Sequence, residues 1–319
     1  MTVQDEIISK IEAAPMIIIH RHQRPDPDAV GSQAGLATIL RASFSDKQVY
    51  QVGQDVHSLD WIAKEQTVDD AVYQHALVIV LDTANAPRVD DARYTTGADL
   101  IKIDHHPAED QYAPLNWVVP EASSTSELVV DLVTASHGKL HLTPEAARML
   151  YAGIVGDTGR FMYDNTTPHT LEVVAELFRQ GIDAPAVNRK LSDISLPEAR
   201  LAAFVYQNME ITEHHAAFVV IKLEDIERLG IKDAGTSSAV SLPGMIADVL
   251  CWTVIVEQRD GTYRLRIRSK APVINELAKK HDGGGHPLAS GAVLHDEEQI
   301  PDYVAELDAL AAKYEEEHQ

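Results

Sequence analysis

Short apolar runs alternate with longer amphipathic stretches through the first half of the chain. Residues 16–20, 48–52, 77–82 and 100–104 have the β-branched, apolar character of strands. Residues 30–41, 126–136, 144–155 and 169–179 repeat apolar positions at helical spacing. This alternation predicts βαβ units, hence an α/β fold with a mostly parallel sheet and helices on both faces. The segment 77–81 is apolar at every position, as a strand covered on both faces requires. The pattern breaks near residues 181–185, and a helical connection follows to about residue 207. Beyond it, residues 217–223, 251–257 and 263–269 read as strands, and 273–280 and 299–316 as helices. The expected division is a first domain over 1–185, a helical linker over 186–207 and a smaller α/β domain over 208–319.

Composition narrows the class. A length of 319 residues suits about two domains, and 45% hydrophobic with 24% charged residues is ordinary for a folded globular chain. The single cysteine, Cys251, excludes an intrachain disulfide. It sits in an apolar run beside Trp252, Val254 and Ile255, and reads as a packing residue without a base to activate it. No apolar stretch approaches the roughly 20 residues of a membrane span, and the N-terminus does not read as a signal peptide. A cytoplasmic protein with no membrane partner is expected. The net charge is −22, from 27 Lys and Arg against 49 Asp and Glu. That balance disfavours long nucleic acid held by a broad basic face, and anionic membranes. A small anionic substrate stays compatible where basic groups cluster or metals supply positive charge.

Candidate chemistry gathers at the strand ends. The run 16–20 leads into His22, Asp26 and Asp28; the run 77–81 ends at Asp82; and 100–103 ends at Asp104, His105 and His106. Asp157 closes the helical run 144–155. Ligands in open α/β sheets bind outside the carboxyl ends of the strands, so these acids converge on one crevice. Each acid alone reads as a cap, a turn residue or a surface charge. Several together repel strongly unless cations compensate them. Hard carboxylate oxygens with some imidazole favour Mn²⁺, Mg²⁺ or Co²⁺ over a structural zinc. Five or more ligands exceed the need of one ion. Two ions about 3.5–4 Å apart, bridged by a carboxylate and a water or hydroxide, fit the set.

A second feature lies in the C-terminal part. Arg264, Arg266, Arg268 and Lys270 alternate with Leu265, Ile267 and Ser269, which puts the four cations on one face of a strand. Residues 259–281 hold seven Lys or Arg against two acids, a local balance of +5 in a chain of −22. Next comes Gly283-Gly284-Gly285-His286, a glycine loop able to bring backbone N–H groups close to an anion. Together they read as a phosphate or nucleotide grip.

The motifs His22-x-x-x-Asp26-x-Asp28, Asp82-Thr83, Asp104-His105-His106 and Gly156-Asp157-Thr158 resemble the four motifs of the DHH phosphoesterase superfamily. Gly283–His286 resembles the signature of the DHHA1 accessory domain, which separates the nuclease branch from the pyrophosphatase branch. Residues 20–35, 82–87, 102–107, 151–161 and 266–275 are most similar to the NrnA-type oligoribonucleases and pAp phosphatases. The resemblance spans nearly the whole chain. It implies a DHH domain, a smaller DHHA1 domain and an active site in the cleft between them. It implies that His22 and Asp26 hold one Mn²⁺, that Asp28, His105 and Asp157 hold a second, and that Asp82 bridges them. His106 would face the substrate phosphate and Asp104 would orient the histidine pair. Arg266, Arg268, Ser269, Gly284, Gly285 and His286 would hold the nucleotide. The implied reaction is attack on phosphorus by a metal-bridging hydroxide, on very short oligoribonucleotides and on 3′-phosphoadenosine 5′-phosphate (pAp). Linear or cyclic dinucleotides are the nearest alternative substrates. An inorganic pyrophosphatase and a non-catalytic nucleotide sensor are the rival functions, and a homodimer is left open. His20 reads as strand-end packing, Arg24 as an exposed loop charge, and Ser124-x-x-Glu127 as a capping box that starts a helix.

Overall fold

The computed structural model describes residues 2–54 and 56–318. The chain forms two compact units that meet between Asp193 and Ile194. That break falls inside the segment read as a helical connection.

The first unit runs α1 (Val3–Ala13), β1 (Met16–His20), α2 (Pro27–Ser43), β2 (Gln48–Gln51), α3 (Asp70–Tyr73), β3 (Leu77–Leu81), β4 (Asp99–Asp104), β5 (Leu115–Val118), α4 (Thr125–Ala135), α5 (Pro144–Asp157), α6 (Pro168–Arg179) and α7 (Ala184–Ser192). Its five strands pair in the order β2-β1-β3-β4-β5, all parallel. Side chains alternate across the sheet. Ile17, Ile19, Ile79, Leu81, Ile101 and Ile103 enter the large core with the helices α2, α4 and α5, while Ile18, Val78 and Val80 face a smaller cluster with Tyr73 and Val89. The strand order reverses direction between β1 and β3. In such sheets that switch point opens a crevice at the carboxyl ends of the strands.

Two sequence expectations shift here. α2 starts at Pro27 instead of residue 30, because the Asp26 side chain caps it and Pro27 suits its first turn. β5, Leu-Asn-Trp-Val, lies outside the expected strands because it is short and has a polar residue inside.

The second unit runs α8 (Leu196–Asn208), β6 (Glu210–Ile211), β7 (Ala216–Ile221), α9 (Leu223–Leu229), β8 (Cys251–Glu257), β9 (Tyr263–Ser269), α10 (Asn275–Lys280), β10 (Gly284–His286), β11 (Ala289–Leu294) and α11 (Ile300–Glu317). Six strands form one sheet in the order β10-β11-β9-β8-β7-β6, where three were expected. The glycine segment is a strand and not a loop: Gly284, Gly285 and His286 pair antiparallel with Gly291, Ser290 and Ala289. Gly285 has φ +138°, and a Cβ there would stand 2.7 Å from the Ala289 carbonyl oxygen. Close packing of β10 on β11 therefore accounts for this glycine.

Candidate active site

The acids and histidines expected from the first unit converge at the carboxyl ends of β1, β3 and β4. Asp26 splits its carboxylate between two tasks. Oδ1 accepts the N–H groups of Asp28 and Ala29, each at 3.0 Å, and caps α2. Oδ2 lies 3.4 Å from His22 Nε2. His22 Nδ1 donates to the Gln23 carbonyl at 2.8 Å, so its Nε2 is left facing Asp26 and, at 3.4 Å, Asp82 Oδ2. An imidazole tied back through one nitrogen, with the other aimed between carboxylates, is the arrangement of a metal ligand.

Asp82 follows β3 directly and adopts a left-handed backbone, φ +51°. Aspartate tolerates this conformation at a small cost. Its side chain is buried, with Oδ2 toward His22 and Oδ1 3.4 Å from His105 Nε2. His105 Nε2 also lies 3.1 Å from Asp157 Oδ2. Asp28 is fully buried against the start of α4, where its carboxylate accepts the N–H groups of Thr125 at 2.7 Å and Ser126 at 2.9 Å. A helix N-terminus suits a buried anion. Thr125 also donates its hydroxyl to Asp82 Oδ1 at 3.3 Å.

The ligand atoms thus fall into groups, each within 4.8 Å: His22 with Asp26 and Asp82, and Asp28 with His105 and Asp157. Asp82 also groups with His105 and His106, its Oδ1 3.4 Å from His105 Nε2 and 3.6 Å from His106 Nδ1, so it touches the second group through His105. The crowding of carboxylates shifts the ionisation of the groups among them. Burial, then Asp82 and Asp157, hold Asp28 well above the usual carboxylate range. Burial opposes a charge on His22, but its hydrogen bonds to Asp26 and Asp82 override that and push it up to about 10. Asp157 and Asp82 overcome burial in the same way at His105 and push it up to about 12. Five carboxylate and imidazole side chains gathered around the Asp82 carboxylate are a donor set that fits divalent cations.

Beside this centre, His106 Nδ1 donates to Asp104 Oδ1 at 2.8 Å, and the His106 backbone N–H reaches the same oxygen at 3.2 Å. Asp104 is fully buried, and its Oδ2 lies 3.1 Å from the Lys102 ammonium. Burial works against its charge, but His106 and Lys102 hold it below the usual carboxylate range. Lys102 and Thr125 are absent from the sequence reading. Lysine inside an apolar strand was a visible signal; the reach of Asp28 to α4, 97 residues away, was not.

Models of two families match the chain: the DHH family, N-terminal domain, over residues 16–154, and the DHHA1 domain over residues 215–313. The chain is 47% identical to a probable bifunctional oligoribonuclease and PAP phosphatase NrnA of Streptococcus mutans, covering 97% of this chain and 99% of the relative. This chain belongs to the DHH/DHHA1 phosphoesterases. It is 43% identical to the bifunctional oligoribonuclease and PAP phosphatase NrnA of Bacillus subtilis, over 98% of this chain and 100% of that one. A solved structure of an exopolyphosphatase-related protein from Bacteroides fragilis matches with a TM-score of 0.83 and 27% identity, covering 98% of this chain and 96% of that chain.

The DHHA1 domain carries the basic strand. β9 buries Tyr263, Leu265 and Ile267 and leaves Arg264, Arg266 and Arg268 on its other face. Arg266 Nη1 donates to Thr236 Oγ1 at 2.7 Å, and Arg268 Nη1 to the Ile267 carbonyl at 2.8 Å. A recess of about 470 Å³ brings together Arg264, Arg266, Arg268, Gly284 and Ser290. Ser269 and His286 do not line it: the Ser269 hydroxyl lies 3.5 Å from the Leu250 carbonyl, and His286 is exposed at the end of β10.

Other singled-out residues have local roles. His20 is buried, its Nε2 3.2 Å from the Tyr73 hydroxyl, as a packing residue should be. Arg24 is exposed. Ser124 caps α4, but only half the capping box forms, because Glu127 accepts the Ser123 hydroxyl at 2.6 Å instead of turning back. Cys251 is buried, and burial pushes its thiol up to about 12. Among the described residues no helix is long and apolar enough to cross a membrane.

Proposed function

We propose that this chain is a metal-dependent phosphoesterase that hydrolyses very short oligoribonucleotides to mononucleotides and pAp to AMP. The observation that carries the reading is Asp82, whose two oxygens face two separate ligand groups. Near-full-length identity of 47% and 43% to relatives named for this pair of activities supports the substrate assignment.

His22, Asp26 and Asp82 form one ligand group and Asp28, His105 and Asp157 the other, and Asp82, whose Oδ1 faces His105, would bridge them. Two divalent cations held there, Mn²⁺ in this reading, would supply Lewis acidity and lower the pKa of water at the site. The chain's own residues supply position. Asp28 is fixed by two backbone N–H groups of α4, and Asp26 by its cap on α2. His106 gives its Nδ1–H to Asp104, which leaves Nε2 to meet a phosphate oxygen. In the DHHA1 domain Arg266, Arg268 and Gly284, which line one recess, are assigned to the nucleotide, and Ser269, Gly285 and His286, which lie outside it, are the weaker part of that assignment. No nucleophilic side chain with its own base is required. The reading places the enzyme in the cytoplasm.

One substrate panel tests it: pAp, pyrophosphate, di- to pentaribonucleotides and cyclic dinucleotides, each with Mn²⁺. Turnover of pAp and the shortest RNAs is expected. Pyrophosphate as the preferred substrate would replace the reading with a pyrophosphatase. Tight nucleotide binding without turnover would replace it with a sensor.

A further inference from the structure

Lys102 sits in the middle of the parallel sheet, on β4, in register with Val80 of β3 and Asn116 of β5. Its side chain is fully buried. Packing alone calls for an apolar residue there, since taking an ammonium group out of water is costly. Its ammonium donates hydrogen bonds to the Ala84 carbonyl at 2.8 Å and the Asp110 carbonyl at 3.0 Å. It stands 3.1 Å from Asp104 Oδ2 as an ion pair, an oxygen that accepts no hydrogen bond among the described residues.

Those partners lie beside the reactive groups. Ala84 is two residues beyond Asp82, and Asp110 is four beyond His106. The same two segments are joined again where the Tyr112 hydroxyl donates to the Thr83 carbonyl at 3.0 Å and Ala86 N–H donates to Asp110 Oδ2 at 2.9 Å. Asp104 stands between Lys102 and His106, one oxygen toward each.

We propose that Lys102 is a positioning residue for the hydrolysis, acting through Asp104 to fix the His106 ring and pinning the turn after Asp82 to the segment after His106. This rests on the phosphoesterase reading. The two carbonyls fix the ammonium in place, its charge holds the buried Asp104 Oδ2 on that side, and Oδ1 stays directed at His106 Nδ1–H. A methionine at 102 fills similar space but lets the carboxylate turn.

The test combines kinetics with a readout that needs no turnover. The hydrogen-bonded Nδ1–H of His106 should give a downfield proton resonance in the metal-free protein, assigned by its loss in His106→Asn. In Lys102→Met that resonance should shift or vanish. Its absence from the wild-type protein, or its persistence unchanged in Lys102→Met, overturns the proposal. With Mn²⁺ and a dinucleotide, Lys102→Met should lose about 10–100-fold in kcat with KM within about threefold. Lys102→Met combined with Asp104→Asn should be no slower than Asp104→Asn alone, because both act through one chain of contacts. Losses that multiply overturn the route through Asp104. If Lys102→Met does not fold, Lys102→Arg keeps the charge but cannot reproduce the two carbonyl hydrogen bonds and the ion pair together. It should shift the resonance and slow turnover, and wild-type values for both overturn the proposal. A wild-type protein inactive on every ester would overturn the phosphoesterase reading instead, with the resonance comparison still valid.

Discussion

In the proposed reading Asp82 faces both ligand groups, one oxygen to His22 and one to His105, so its loss should weigh more than that of any other single residue of the centre. Asp82→Ala removes the carboxylate whose two oxygens face both His22 and His105. We expect turnover to be abolished and bound Mn²⁺ to fall, with the circular dichroism of the fold unchanged. Near-normal activity would remove the bridging role. His105→Ala should be nearly as severe, since His105 stands between Asp82 and Asp157. His20→Ala should leave metal content close to normal, because His20 is packed on Tyr73 and belongs to none of the ligand groups. The residue identities were legible because acids and histidines at successive strand ends have few structural reasons to be there. Their second partners were not legible. That Asp26 spends one oxygen on a helix cap, and that Asp28 is held by α4, depends on contacts that no local pattern encodes.

Elements set how near those side chains can come. α2 and α5 pack closely in the core of the first unit, and Gly153 of α5 lies against Asp28. A Cβ at Gly153 would stand 2.7 Å from Asp28 Oδ1 and would press on Ser126 as well. Gly153→Ala should therefore move Asp28 off the α4 N-terminus. The overpacking should cost about 1–3 kcal/mol in thermal or denaturant unfolding. Mn²⁺ affinity should fall with it, which a titration would read, and unchanged affinity would show that Asp28 is not held by this contact. The long periodic elements were readable: β1, β3, α4, α5 and α6 lie close to where hydrophobic spacing puts them. Short or glycine-rich ones were not. β10 is three residues, Gly-Gly-His, and its strand character comes wholly from pairing with β11. Local propensity opposes it, so the sequence suggested a loop.

At the scale of the whole molecule, charge and the two units divide the work. Arg268→Ala should raise KM for nucleotides and leave the Mn²⁺ stoichiometry unchanged. Hydrolysis of bis-p-nitrophenyl phosphate should suffer much less, because a small ester needs the metals and not the basic strand. Equal losses on both substrates would put Arg268 in the metal centre or in support of the fold. The same charge distribution sets substrate length. A protein of net charge −22 repels polyanions, and residues 259–281, at +5, stand against that repulsion. Each added nucleotide brings another phosphate. Beyond the first few, the phosphates leave the basic strand and meet a predominantly acidic chain, so kcat/KM should fall steeply past about five nucleotides. Salt should narrow the gap, because screening shortens the repulsion to a Debye length of about 10 Å at 0.1 M. A protein that tracks a long polyanion through a basic groove behaves in the opposite way, losing affinity for the long substrate as salt rises. The measurement is kcat/KM for a 2-mer and a 24-mer at two salt concentrations. Equal rates on both lengths, or a 24-mer that loses more in salt than the 2-mer, would replace length selection by charge with processive degradation.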